Sequence, residues 1–435
     1  MPANCETHLE RVKQLRLRQP NREQITPVPM YLERILPDNH LARLVWQAVE
    51  IMDLSSFYAR IKVKVEGGGR AAIDPQLMVS LWLYGTTQGV TSARELARLC
   101  QEHLAYIWLC GGVSINHHSL SDFRVQHREA LAQLMDELVV ALMEAGLIEL
   151  SQVAQDGMRV RASAGAASFR REATLREHLC RAQTLESELL QGDSDCEQQG
   201  TPRQQQARAR ARRECLERLE VALKELPQAR KAKPKDKQDQ ARVSTTDAEA
   251  RVMKMPDGGF RPAYNFQLAV DTAPQVIVGV DVTNNGSDKS QMLPMIDQVE
   301  TRFLDLPDHW LTDGGFTSKE SIEEAADKGV CLLAPVPKPK NPERDPHQPL
   351  DSDSEVIAAW RERMGSDWAK ETYKLRAATV ECVNAQARCR YGIQQLPVRG
   401  LEKVGCVALW MAVAHNLLIW LRHLFSPTPP QAILT

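Results

Sequence analysis

The stretch Val153-Ala154-Gln155-Asp156-Gly157-Met158-Arg159-Val160 decides how the rest of the chain is read. It is a short, mostly apolar run with Val at both ends, and it reads as a strand. Yet it carries Asp156, a poor strand former. A carboxylate buried there needs a cation, a metal or several N–H donors to offset its lost hydration. Upstream of this run the texture is helical, and downstream further strands alternate with helices.

Upstream, Asp74-Pro75 reads as an N-cap followed by Pro at the first helical position. The helix it starts carries Leu77, Leu81 and Tyr84 and ends at Gly89. Ser92, with Glu95 three residues on, marks another start as a capping box. Ser119 or Ser121 marks a third, running through Phe123, Leu131, Met135 and Leu138. Residues 31–150 are therefore expected to be all α, after a flexible segment over 1–30.

Downstream, a polar helical stretch over 168–242 interrupts the strands. Its two apolar stripes, Leu175, Leu179, Ala182, Leu185, Leu189 and then Leu216, Leu219, Leu223, Leu226, flank a turn at Gly192–Pro202. An antiparallel helical hairpin is expected. Its basic runs, Arg208, Arg210, Arg212 and Arg213 and later Arg230, Lys231, Lys233, Lys235 and Lys237, suit either a DNA-tracking surface or a solvated arm. Strands resume at Tyr264–Asp271 and Val276–Val282, joined by Thr272-Ala273-Pro274 as an antiparallel hairpin. A helix from Ser287 to Leu304, a short strand ending at Asp313, a helix after Ser318 and a strand at Val330–Ala334 follow. Residues 151–425 thus read as α/β, a mixed sheet flanked by helices with the hairpin inserted, before a flexible tail over 426–435.

The chain has 435 residues, 43% of them hydrophobic, enough for two or three cores. A net charge of −2 gives no global nucleic-acid signal, so any such affinity rests on local basic surfaces. Ten cysteines include no Cys-x-x-Cys pair, which argues against a disulfide scaffold or a structural zinc site. The N-terminus lacks the apolar core of a signal peptide, and Val404–Leu421 is broken by His415 and Asn416, so it reads as a buried helix. A cytoplasmic protein with no membrane partner is expected.

Two further carboxylates stand out. Asp313 precedes Gly314-Gly315-Phe316, which fits either a strand end facing a ligand crevice or an ordinary Asp-Gly turn. Glu381 lies on the helix from Tyr373 to Arg390, seven residues before Arg388 and on the same face. Two strand carboxylates and one helix carboxylate form an oxygen donor set suited to paired Mg²⁺ ions. His117-His118 reads as a surface pair rather than a metal site.

The strings Gln155-Asp156-Gly157-Met158-Arg159-Val160-Arg161-Ala162, Thr312-Asp313-Gly314-Gly315-Phe316 and Tyr373…Arg376…Glu381…Arg388 resemble the three blocks of the DDE transposases of bacterial insertion sequences. Ser119-Leu-Ser-Asp-Phe-Arg124 resembles the InsH-type N-terminal domain of that group. Tyr264-Asn265-Phe266-Gln267 and Pro397-Val-Arg399-Gly400-Leu-Glu-Lys403 resemble further family segments. The resemblance runs from Val28 to Leu421. It implies an RNase H-like sheet and a triad of Asp156, Asp313 and Glu381 holding two Mg²⁺ ions, with Mn²⁺ as a substitute. It also implies cleavage at transposon ends, joining of the freed 3′-OH to target DNA, and assembly of several copies on DNA. Arg159, Arg161, Arg376, Arg388, Arg399, Lys403 and Arg124 are the expected DNA contacts. A nuclease without strand transfer, and a silent DNA-binding descendant, are the alternatives. One departure stands out. Related chains place Tyr, Arg and Glu at offsets of zero, three and seven. Here Glu381 is eight after Tyr373, a rotation of about 100° on an ideal helix, which leaves Glu371 as a competitor.

Overall fold

A computed structural model describes residues 31–61, 71–190, 201–339 and 341–425. The segments expected to be flexible, 1–30 and 426–435, and almost all of the expected hairpin turn at Gly192–Pro202 lie outside these.

The first part is helical: α1 (Leu41–Glu50), α2 (Ser55–Tyr58), α3 (Pro75–Thr87), α4 (Ala93–Glu102), α5 (Leu104–Cys110), α6 (His117–Gln126) and α7 (Arg128–Glu144). Asp74 caps α3 as its sequence suggests, accepting from the Gln76 N–H at 2.9 Å. At α4 the capping box is only half made. Ser92 accepts from the Glu95 N–H, but the Glu95 carboxylate turns to Arg98 instead. The third expected helix is two. Asn116, not Ser119 or Ser121, caps α6 by accepting from the Ser119 N–H, and the chain breaks at His127 before α7. His117 and His118 stack on each other in the first turn of α6 rather than lying on a loop.

The sheet starts with β1 (Gln152–Arg161). A two-stranded ribbon, β2 (Phe169–Arg170) with β3 (Val243–Ser244), brackets the insert of α8 (Glu172–Leu190) and α9 (Pro202–Lys231). Then follow β4 (Arg251–Lys254), β5 (Phe260–Asp271), β6 (Ile277–Thr283), α10 (Met292–Phe303), β7 (His309–Leu311), α11 (Lys319–Asp327) and β8 (Cys331–Leu333). The chain closes with α12 (Glu355–Gly365), α13 (Asp367–Arg376), a π-helical turn at Ala377–Glu381, α14 (Cys382–Cys389) and α15 (Leu401–Phe425).

β1 is central. It pairs antiparallel with β5, Asp156 opposite Leu268, and parallel with β7, which pairs parallel with β8. On the far side of β5, β4 and then β6 pair antiparallel along successive stretches. The hairpin of β5 and β6 matches the sequence reading. β4 is an additional edge strand.

α15 explains why a chain of this composition carries one long apolar helix. It lies buried between the N-terminal helices and the sheet, so both share one apolar core. Its two buried polar residues are not defects. Asn416 accepts from the Ile277 N–H at 2.9 Å and donates to the Ile277 carbonyl at 2.8 Å, completing the edge of β6. His415 donates through Nε2 to the Gln275 carbonyl at 2.8 Å, and its Nδ1 accepts from the Tyr391 hydroxyl. A buried backbone group left without these partners would cost about 1–3 kcal/mol.

The insert builds a second, small core from Leu175, Leu219, Ala222, Leu226, Ala229 and Val243. Leu185, expected in the stripe, is 55% exposed, so the packing is confined to the base of the arm.

Candidate active site

Asp156 sits in the middle of the central strand with its side chain 19% exposed. Its Oδ2 accepts from Asn384 Nδ2 at 2.9 Å, and its Oδ1 lies 3.1 Å from Arg376 Nη2. The other amino group of Arg376 donates to Glu381 Oε1 at 3.2 Å, so one guanidinium joins two of the three expected carboxylates. Arg376 is itself buried, 11% exposed, whereas Glu381 is 57% exposed. Burial pushes the Asp156 carboxyl above the ordinary carboxylate range. Arg376 and the Gly157 N–H oppose that shift, and the neighbouring charges of Asp313 and Asp288 add to it.

Asp313 lies two residues past the end of β7, not in the strand as expected. Its Oδ1 accepts from the Gly315 N–H at 2.7 Å, the turn geometry that Asp-Gly sequences favour. Tyr373 senses the whole group. Burial raises its phenol above the ordinary value, Arg376 opposes this, and Asp313, Asp156 and Glu381 each add to it. Arg376 thus joins Asp156 and Glu381 directly, while Asp313 is near enough for its charge to act on Asp156 and Tyr373. Among the described residues, however, no three acidic, His or Cys side chains stand close enough together to hold an ion. Two buried oxygens beside them, Asn384 Oδ1 and Thr312 Oγ1, have no hydrogen-bond partner.

The π-helical turn resolves the spacing departure. A π turn carries one extra residue relative to an α turn. The eight-residue step from Tyr373 to Glu381 therefore restores the facing that a seven-residue step gives on a regular helix. The cost is a disturbed i→i−4 ladder. Thr379 Oγ1 donates to the Leu375 carbonyl at 2.7 Å, and Gln275 Nε2 donates to the Ala378 carbonyl at 3.0 Å, which satisfies two of its acceptors. Glu371, the competitor, is 71% exposed and paired with Lys374 on α13.

On the opposite face of β1 lies a polar cluster that the sequence reading missed. Gln155 is fully buried. It accepts from Trp310 Nε1 at 3.0 Å and donates to the Gln291 carbonyl at 2.9 Å. Asp288 accepts from Asn265 at 2.6 Å and Gln267 at 2.8 Å, and Arg159 Nη2 lies 3.5 Å away. A Cβ on Gly157 would stand 2.3 Å from Asp288 Oδ1, so any other residue beside Asp156 would have to displace the Asp288 side chain. Asn265 and Gln267, amides at alternate positions within an apolar run of β5, were the available signal.

The expected DNA contacts divide. Arg124 is corrected. It is 5% exposed, lies over the Trp82 ring and donates to the Thr91 carbonyl, and burial lowers its pKa to about 10. Arg376 is committed to Asp156 and Glu381. Arg159 donates to the Gly286 carbonyl at 2.9 Å and Arg399 to the Ser163 carbonyl at 3.2 Å. Arg161 and Lys403 are exposed, and Arg388 is half-buried.

Two family models match. Residues 30–126 match "Transposase domain (DUF772)" and residues 228–417 match "Transposase DDE domain". The second match contains Asp313 and Glu381 and begins beyond Asp156. No curated relative and no solved structure matches the chain. The first covers the helical part through α6, the second runs from the end of α9 through β8 into α15, and together they support a DDE transposase of an insertion sequence.

Proposed function

We propose that Asp156, Asp313 and Glu381 form the triad of an RNase H-like catalytic domain over 151–425, and that they hold two Mg²⁺ ions, or Mn²⁺ in their place. The strand order supports this reading: β1 is central, β5 pairs antiparallel with it on one side and carries β4 and β6 beyond, and β7 and β8 follow parallel on the other. The observation that carries it is the guanidinium of Arg376 held between Asp156 and Glu381, with the charge of Asp313 felt at Asp156. Three carboxylates around one cation are short of positive charge, and an all-oxygen donor set is what Mg²⁺ takes. Asp156 and Glu381 would exchange Arg376 for an ion. Bound there, the ions would activate the attacking oxygen and stabilise the leaving one. Asn384 orients Asp156, Tyr373 walls the site, and the Gly314-Gly315 backbone leaves room for a DNA strand.

The reaction is cleavage at transposon ends followed by attack of the freed 3′-OH on target DNA. It takes place in the cytoplasm on the nucleoid, with several copies assembled on the DNA. Residues 31–150 serve DNA binding or assembly, and Arg159, Arg161, Arg388, Arg399 and Lys403 meet phosphates. Incubating the full chain with pre-cleaved ends, a target plasmid and Mg²⁺ tests the reading. Joined product is expected from the wild type, with a loss on the order of 10³-fold or more for Asp156→Asn. Cleavage without joining marks a nuclease, and unchanged activity of the variant removes Asp156 from the site.

A further inference from the structure

A groove of about 890 Å³ runs between the base of the helical arm and the edge of the sheet. The end of α9 and the segment after it form one wall, with Gln228, Lys233, Gln240 and Arg242. β4 forms the floor, and the Asn284–Ser287 loop forms the far rim. No Asp or Glu lines it, in a chain whose net charge is −2. Of its three cations, Arg251 is taken up internally, 3.0 Å from Glu225 and 2.7 Å from the Ala248 carbonyl. Lys233 and Arg242 are exposed, and neither forms an ion pair among the described residues.

The rim is fixed rather than loose. Asn284 donates to the Glu249 carbonyl at 3.0 Å, the Asn285 side chain accepts from the Ser287 N–H at 3.0 Å, and Arg159 holds the Gly286 carbonyl. Asp288, the next residue, packs against Gly157 beside Asp156. The groove is thus tied to the strand that carries the first carboxylate.

Its chemistry selects among occupants. The cores of protein interfaces are depleted of charge and enriched in aromatics. Phosphate contacts, by contrast, come from Arg, Lys, Ser, Asn and Gln side chains, and these line the groove alongside Phe169, Ala229, Ala232 and Val252. We propose that this groove seats the phosphodiester backbone of DNA. Lys233 and Arg242 pair with phosphates, and the amides and Ser287 donate to phosphate oxygens. The inference rests on the DNA-cleaving reading above and adds a surface to it.

The test is fluorescence anisotropy of a labelled duplex with the full chain, in EDTA so that nothing is cut, across a salt series. Each phosphate contact contributes about 0.9 to the slope of log affinity against log salt. The double variant Lys233→Gln/Arg242→Gln is expected to lose about 1.8 of that slope and one to two orders of magnitude in affinity at about 0.1 M salt. The control Lys224→Gln/Lys231→Gln removes the same charge from the same arm outside the groove and is expected to change little. Equal losses in both pairs reduce the effect to net charge and overturn the groove. So does an unchanged slope in the first pair, and in that case wild-type cleavage still stands. A wild type with no salt-dependent DNA binding sinks both the groove and the DNA reading.

Discussion

Asp156 and Glu381 reach the same guanidinium from opposite kinds of scaffold. Asp156 rides on a strand locked on both sides, against β5 and β7, with Asp288 packed close over Gly157 beside it. Glu381 rides on a helix that faces the site only because one turn is π-helical. The strand fixes its carboxylate by regularity and the helix by a defect. A regular ladder tolerates little change anywhere along it, whereas a defect concentrates its control in a few named contacts. Those contacts are where the comparison can be broken.

The largest effect is expected from changing the length of the π turn. Inserting one Ala after Ala378 rotates Glu381 by about 100°. Metal-dependent DNA cleavage should then fall at least about a hundredfold, as Glu381→Ala itself would make it fall. Deleting Ala377 leaves a seven-residue step and a regular helix, and cleavage should stay within about tenfold of wild type. A deletion as inactive as the insertion would mean that the π turn does not set the facing of Glu381.

Acid should reach the helix scaffold through His415. Burial lowers its pKa to about 4 from the ordinary 6.5. The unfolded chain therefore binds the extra proton first. The stability that the neutral ring contributes is complete above about pH 6.5 and is lost as pH falls toward 4, at up to about 1.4 kcal/mol per pH unit. Urea unfolding at pH 7 and pH 5 should differ by about 2 kcal/mol from this group, and His415→Gln should shrink the difference by that amount. An unchanged difference in the variant would place the acid sensitivity elsewhere.

A smaller effect is expected at Gln275, which touches both His415 and the π turn. Its φ of +62° is a left-handed conformation that favours glycine. Gln275→Ala keeps that strain and loses the bond to the Ala378 carbonyl, for about 1 kcal/mol. Gln275→Gly loses the same bond but relieves the strain, and should come out about 0.5–1 kcal/mol more stable than the Ala variant by thermal or urea unfolding. If Ala proves the more stable, the turn is not strained at this residue.

The sequence carried the regular parts of this comparison and missed the irregular ones. The runs of β1, β5 and β6 are long and apolar enough to be read as strands, and Asp74 and Ser318 cap helices where expected. Asp313 was placed two residues too deep, because a strand as short as β7 leaves no periodicity to mark its end. Ala377-Ala378-Thr379-Val380 contains no helix breaker, so only the eight-residue step hinted at the π turn. Arg124 looked like a DNA contact because an arginine in a polar stretch is normally exposed, and only the tertiary packing over Trp82 buries it. Asp288 lay in Asn-Asn-Gly-Ser-Asp, which reads as a turn. The buried amides it satisfies, Asn265 and Gln267, come from a distant strand.

The smallest expected effect decides which helix glutamate belongs to the site. Glu371 and Lys374 form an exposed pair, 71% and 69% accessible, on the helix that leads into the π turn. Pairs of this kind contribute a few tenths of a kcal/mol. Glu371→Ala should therefore leave both the unfolding midpoint and the rate of DNA cleavage close to wild type, while Glu381→Ala abolishes cleavage. The two residues lie on the same helical segment and differ in whether Arg376 reaches them. Loss of cleavage in the Glu371 variant with retention in the Glu381 variant would transfer the third carboxylate role, and the eight-residue step would then be an ordinary spacing rather than a compensated one.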